Sequence, residues 1–156
     1  MNKTAIFPGS FDPFTVGHES IVRRSIDLFD KIIVAVGVHS GKQPLLPIAS
    51  RVAIINEVFK DDDKITCDFF EGLTVDFCKK VNAKYMLRGI RTAADFEYER
   101  AIAQINKRML REVESVFLLT SPEHTPINST IIRDIIRNGG DAAQFLPEGV
   151  DIKKYL

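Results

Sequence analysis

Apolar positions along this chain follow two alternating rhythms. Short runs with strand character are each followed by a stretch in which apolar residues recur every three or four positions. The first run, Ala5 to Phe7, gives way at about Val16 to a periodic segment with an inward stripe at 21, 22, 26 and 29. Lys31 to Val38 (KIIVAVGV) is almost continuously apolar, the mark of a strand covered on both faces. A loop from His39 to Pro47 follows. Ile48, Val52, Ile55 and Phe59 then share a helical face, with Pro47 at a tolerated starting position.

Ile65, Cys67 and Phe69 alternate with polar residues and predict a strand nearer an edge. Glu71-Gly72 closes it, and Leu73 to Val81 predicts a helix. Tyr85 to Leu87 predicts a short strand that ends at Arg88-Gly-Ile-Arg91. The longest helix is predicted from Ala93 to about Arg111, with Phe96, Ile102 and Ala103 inward. Ser115 to Leu119 predicts a fifth strand, and Thr120 to Pro126 a loop with two prolines. Ser129 to Arg137 predicts a helix stopped by Gly139-Gly140. A tail with Phe145-Leu-Pro147 and a terminal helical turn completes the pattern.

Five rounds of strand then helix imply an α/β, Rossmann-like fold. This is a doubly wound five-stranded parallel sheet with helices on both faces and right-handed crossovers. With 156 residues and neither repeats nor linkers, the expectation is one domain over residues 1–156. Charge refines the picture: 21 basic and 21 acidic residues give zero net charge. That argues against nucleic acid or a membrane surface as partner, while leaving room for a local basic pocket. Cys67 and Cys78 form no CxxC, so a zinc site is not expected. Asp61-Asp-Asp63 reads as a solvated turn rather than a metal site. No apolar run approaches the roughly 18 residues of a membrane span, no signal peptide is expected, and the expected location is cytoplasmic.

The candidate chemistry clusters where strands end. Pro8-Gly9 and Asp12-Pro13 break the chain between the first strand and its helix. A helix entered this way points free N–H groups and a positive dipole end at the loop, which suits a phosphate. Thr15 can cap that helix, and Gly17 has no Cβ to hold a ligand away. His18 precedes Ile21 and Val22 by three and four residues, so it projects from the same face one turn nearer the N-terminus. A lone histidine there could equally be a core residue, but Ser10, Thr15 and Gly17 share its loop-to-helix transition. Lys42 follows the second strand and could hold a phosphate as a point charge or lie free on the surface. Arg88 and Arg91 straddle Gly89 at a strand end, and their planar forks match phosphate oxygens. The loop His124 to Thr130 follows the fifth strand. In a doubly wound sheet all these loops lie on one edge. Cations, an imidazole, hydroxyls and helix N-termini, without a nucleophile beside a base, suit binding and polarising phosphates rather than covalent catalysis.

Phe7-Pro-Gly-Ser-Phe-Asp-Pro-Phe-Thr-Val-Gly-His18 resembles the (H/T)xGH signature of the nucleotidyltransferase superfamily. Arg88 to Glu99 (RGIRTAADFEYE) is similar to a segment of the phosphopantetheine adenylyltransferase family within it. Ile127-Asn-Ser-Thr-Ile-Ile-Arg133 resembles the second superfamily signature, ISSTxxR, with Asn128 in place of the first Ser. The likeness runs over nearly the whole chain. It implies transfer of AMP from ATP to 4′-phosphopantetheine, giving dephospho-CoA and pyrophosphate without a covalent intermediate. Catalysis would rest on His18, Lys42 and Arg91. Ser10, Lys42, Thr74 and Arg88 would bind phosphopantetheine. ATP would meet Ser10, Phe11, His18, Gly89, Ile90, Arg91, Glu99, His124, Thr125, Pro126, Ile127, Asn128, Ser129 and Thr130. Mg²⁺ would travel with the ATP phosphates. The family implies a homohexamer and feedback inhibition by CoA. Ser10 stands where Thr is common, and His124 where some members carry an aromatic such as Trp. Position 74 varies in kind.

Two other readings stay open at this stage. One is a nucleotidyltransferase of the same superfamily acting on nicotinamide mononucleotide or using CTP. The other is a non-catalytic nucleotide- or CoA-binding module. A dehydrogenase is disfavoured because the GxGxxG fingerprint is absent from the first turn, as is Walker A, the mark of a P-loop NTPase.

Overall fold

The computed structural model describes residues 2–39 and 43–156. Five parallel strands form one sheet: β1 (Thr4–Gly9), β2 (Lys31–Val38), β3 (Ile65–Glu71), β4 (Tyr85–Ile90) and β5 (Glu114–Leu119). Each is followed by a helix: α1 (Val16–Ser25), α2 (Ile48–Val58), α3 (Thr74–Val81), α4 (Ala93–Met109) and α5 (Ser129–Arg137). The strand order is β3-β2-β1-β4-β5, so the winding reverses between β1 and β4. Ligands of such sheets bind where the winding reverses, outside the carboxyl ends of the strands. As expected, β3 is an edge strand.

Alternation along β1 divides the core. Ala5 and Phe7 join Val34, Val36 and Leu87 under α1 and α2. Ile6 points the other way and joins Ile33, Ala35 and Met86 under α3, which contributes Val75, Phe77 and Cys78. A third cluster, around Ile132, Ala142 and Leu146, packs the tail against α5. The tail ends on α2, where Tyr155 donates its hydroxyl to Glu57 and accepts from Ser50 Oγ at its carbonyl.

Helix α4 departs from the amphipathic expectation. None of its residues is fully buried. Phe96 and Ile102, expected inward, are 40% and 38% exposed, and Tyr98, Ile105 and Met109 are more exposed still. Positions 98, 102, 105 and 109 form one helical stripe, and the fold of a single chain leaves it largely uncovered.

Strand β4 also runs further than its apolar run predicts. Arg88, Gly89 and Ile90 pair with Phe117, Leu118 and Leu119 of β5. On the other side the β1–β4 register stops at Ile6 opposite Met86. The cause is covalent. Even-numbered residues of β1 face β4, as the bond from Lys84 N–H to the Thr4 carbonyl shows, and the next such position after Ile6 is Pro8, which has no N–H to give. A proline inside a central strand is unusual; here it sits where the sheet opens into a crevice.

Candidate active site

The β1–α1 loop is held from beneath by buried polar groups. Asp12, 5% exposed, accepts from the backbone N–H groups of Leu45 and Leu46 at 2.8 and 2.9 Å. Buried Arg51 donates to the carbonyls of Leu46 and Ser10 at 3.1 and 2.8 Å. Arg133 donates to the Asp12 carbonyl and Ser129 to that of Pro13, which ties α5 to the same loop. Phe11 adopts a left-handed backbone, φ 49°, and its ring closes over Gly9. A Cβ at Gly9 would lie 2.8 Å from that ring, so any other residue there must displace Phe11.

Helix α1 begins with a capping box. Thr15 accepts the His18 backbone N–H on its hydroxyl at 3.3 Å, and donates its own N–H to His18 Nδ1 at 3.0 Å. An Nδ1 that accepts leaves the proton of a neutral imidazole on Nε2. Phe11 and Phe14 pack on the ring with centroids 5.0 and 5.3 Å away. Burial, and then the positive charges of Arg88 and Arg91, lower the pKa of His18 to about 3. The side chain is therefore a neutral Nε2–H donor at any physiological pH.

Across the crevice, Arg88 donates through Nε and Nη2 to the two carboxylate oxygens of Glu99, at 3.0 and 2.6 Å. Its Nη1 donates to the Pro8 carbonyl. This guanidinium thus serves the strand edge that the β1–β4 ladder leaves open. Arg91 pairs with Asp95 at 3.2 Å and reaches the Ile127 carbonyl at 3.5 Å. Asn128 caps α5 by accepting from Ile131 N–H at 2.9 Å.

These groups surround two adjoining cavities. The larger, about 600 Å³, is lined by Ser10, Phe11, His18, Arg88, Gly89, Arg91, Glu99, His124 and Ile127 to Thr130, among others. The smaller, about 330 Å³, runs from Gly9, Ser10 and Arg88 past Phe70 and Thr74 to Ile102, Asn106 and Phe117. The sequence-predicted residues therefore converge, with specific departures. Ile90 does not reach either cavity: β4 continues through it, and strand alternation buries its side chain in the core. Thr125 and Pro126 line neither cavity; they close the short helical turn Pro122–His124, which presents His124 instead. Arg88 and Glu99, expected on different substrates, hold each other. Lys42 lies outside the described residues.

Sequence reasoning missed Asp95, Tyr98, Thr120 and Arg133, all of which line the larger cavity. A signal existed for three of them: Arg133 closes the ISSTxxR-like segment, and Asp95 and Tyr98 share a helical face. Positions 95, 98 and 99, 102 and 106 follow helical spacing from the strand end, so one face of α4 overlooks the crevice. Asn106, deeper along that face, belongs to the smaller cavity.

A doubly wound sheet with a TxGH helix start, cations and a second helix N-terminus at its reversal point defines a phosphate-handling transferase, and comparison with known proteins agrees. The cytidylyltransferase-like family model matches residues 6–135. In overall fold the chain superposes on a bifunctional NMN adenylyltransferase/ADP ribose pyrophosphatase from Francisella tularensis with a TM-score of 0.74 at 17% identity, covering 98% of this chain and 47% of that one.

The chain belongs to the phosphopantetheine adenylyltransferase family within this class. It is 50% identical over 151 residues to the phosphopantetheine adenylyltransferase of Flavobacterium psychrophilum, covering 97% of this chain and 99% of that protein. It is 47% identical over 152 residues to that of Flavobacterium johnsoniae, with the same coverage.

Proposed function

We propose that this protein transfers AMP from ATP to 4′-phosphopantetheine, releasing pyrophosphate and forming dephospho-CoA. The observation that carries the reading is the pair of cavities meeting at the open β1–β4 edge. The larger gathers His18, Arg91 and the N-terminus of α5, which suit a triphosphate. The smaller is partly apolar, lined by Phe70, Ile102 and Phe117 together with Thr74 and Asn106, which suits a pantetheine arm. Ser10 and Arg88 line both, where two phosphates would meet.

The nucleophile is an oxygen of the phosphopantetheine phosphate, already ionised at neutral pH. It attacks the α-phosphorus of ATP in line; the new P–O bond forms as the bond to the β-phosphate oxygen breaks. No general base is needed. Holding both phosphates in the crevice supplies about 7–11 kcal/mol of the barrier. His18 Nε2–H donates to an α-phosphoryl oxygen as charge accumulates there. Arg91 and the α5 N-terminus receive charge on the departing pyrophosphate. The resemblance implies that Lys42 joins them. Magnesium would be held by triphosphate oxygens and water, ligands it favours, and would offset charge on the phosphates; the carboxylates lining the larger cavity, Asp95 and Glu99, are paired with Arg91 and Arg88.

Further features follow from the same reading. The uncovered stripe Tyr98, Ile102, Ile105 and Met109 of α4 supports assembly of identical chains, up to the family's hexamer. CoA, which carries the same pantetheine arm, would compete for the smaller cavity and act as feedback inhibitor. Among the described residues no helix is long and apolar enough to cross a membrane, in keeping with a cytoplasmic site of action. The decisive experiment is mass-spectrometric detection of dephospho-CoA and pyrophosphate from ATP, phosphopantetheine and magnesium. Purified protein that forms neither product overturns the reading.

A further inference from the structure

The two cavities share a wall whose centre is the Arg88–Glu99 pair. Pro8, Gly9, Ser10, Arg88, Tyr98 and Glu99 line both. Glu99 gives both carboxylate oxygens to Arg88, at 3.0 and 2.6 Å, and the Pro8 carbonyl takes a third N–H. Three of the five guanidinium N–H groups are therefore engaged inside the protein. The side chains are only 33% and 12% exposed, so solvent screens their attraction incompletely. With its charge offset by Glu99, Arg88 is a weaker phosphate ligand than a free arginine.

We infer that this pair is a latch coupling the two substrate sites, so that each substrate tightens the binding of the other. The inference rests on the substrate assignments proposed above. A phosphate in the smaller cavity and the Glu99 carboxylate compete for one cation. The hydroxyls of a nucleoside in the larger cavity and the Arg88 guanidinium compete for one carboxylate. Whichever ligand arrives first must draw one partner away from the other. The second ligand meets a partner already released and binds without that cost. Linkage makes the effect reciprocal: the factor by which ATP improves phosphopantetheine binding equals the factor by which phosphopantetheine improves ATP binding. Only side-chain rotation is required, since the backbone of β4 is fixed between its ladder to β5 and the Pro8 edge.

Titration calorimetry on the whole protein tests the latch. The probes are 4′-phosphopantetheine and the magnesium complex of α,β-methylene-ATP, whose bridging carbon blocks transfer. Each ligand is expected to bind about fivefold or more tightly when the other is present. Glu99→Gln keeps the side-chain size but removes the charge that holds the fork. In that variant phosphopantetheine alone should bind more tightly than to the parent, and the coupling factor should fall close to one. A residue with only a structural role would instead weaken binding. Arg88→Lys provides a second variant: it keeps a cation but cannot span Glu99 and Pro8 together, and should also lose the coupling. Two ligands that bind the parent independently overturn the latch while leaving the substrate assignment intact. So does an unchanged coupling factor in Glu99→Gln, or weaker phosphopantetheine binding there. Failure of phosphopantetheine to bind the parent at all overturns the substrate assignment and the latch together.

Discussion

Thr15 and His18 each satisfy the other's exposed backbone group: one hydroxyl and one imidazole nitrogen close the first turn of α1. The consequence is that the cap fixes the tautomer. Because Nδ1 is occupied by Thr15 N–H at 3.0 Å, the proton sits on Nε2. His18→Ala removes this donor and should lower kcat by about 10²–10³-fold, with a much smaller change in KM for ATP. Steady-state kinetics decide it; unchanged kcat with weakened ATP binding would assign His18 to ground-state binding instead.

The pKa of His18 near 3 gives a second expectation, with a definite sign. The folded-state value lies below the unfolded value of about 6.5, so the unfolded chain binds the extra proton first as pH falls. The stability associated with the neutral ring is complete above about 6.5 and declines toward 3. Urea unfolding at pH 5 and pH 7 should show a larger loss in the parent than in His18→Gln. NMR of the three histidine rings should find the His18 signals unmoved between pH 5 and 8.

Asp12 is expected to act through stability. Asp12→Ala strands the buried N–H of Leu46 and the half-buried N–H of Leu45 and loosens the loop that carries Ser10. The cost should be about 3 kcal/mol or more, read as a lower denaturant midpoint with an unchanged slope. A midpoint equal to the parent's would show that the buried carboxylate does not hold the loop.

Gly9→Ala should do more harm than its size suggests. The added methyl meets the Phe11 ring at 2.8 Å, and Phe11 in turn packs on His18. Displacing that ring should cost about 1–3 kcal/mol and depress kcat along with stability. Thermal melts and turnover measured on the same preparation check both.

Assembly is testable at Ile105, which is 57% exposed on α4. Ile105→Glu should shift sedimentation toward smaller species if the stripe is the contact between chains. An unchanged sedimentation profile places the contact elsewhere.

Most of the architecture was legible because each strand and helix carries its own periodicity. β2 was read to the residue, Lys31 to Val38, since an apolar run between polar ends has sharp limits. In the sequence Arg88 and Gly89 look like a strand's end, whereas β4 continues through Ile90 in its pairing with β5. The inward reading of Ile102 failed for a different reason. Periodicity says which face of a helix is apolar but not whether the same chain covers it. The loops that line the crevice are marked by their chemistry, whereas the Arg88–Glu99 pair is not. Two charges eleven positions apart reveal their contact only once β4 and α4 are folded together.

The proline at position 8 has an implication for how this enzyme meets its substrates. A backbone edge that lacks its donor cannot be zipped shut in the empty protein, so the cleft exists before any ligand arrives. Its mouth is written into the covalent chain. Recognition can then proceed with little rearrangement of the main chain, and the motion that remains belongs to the side chains at the rim.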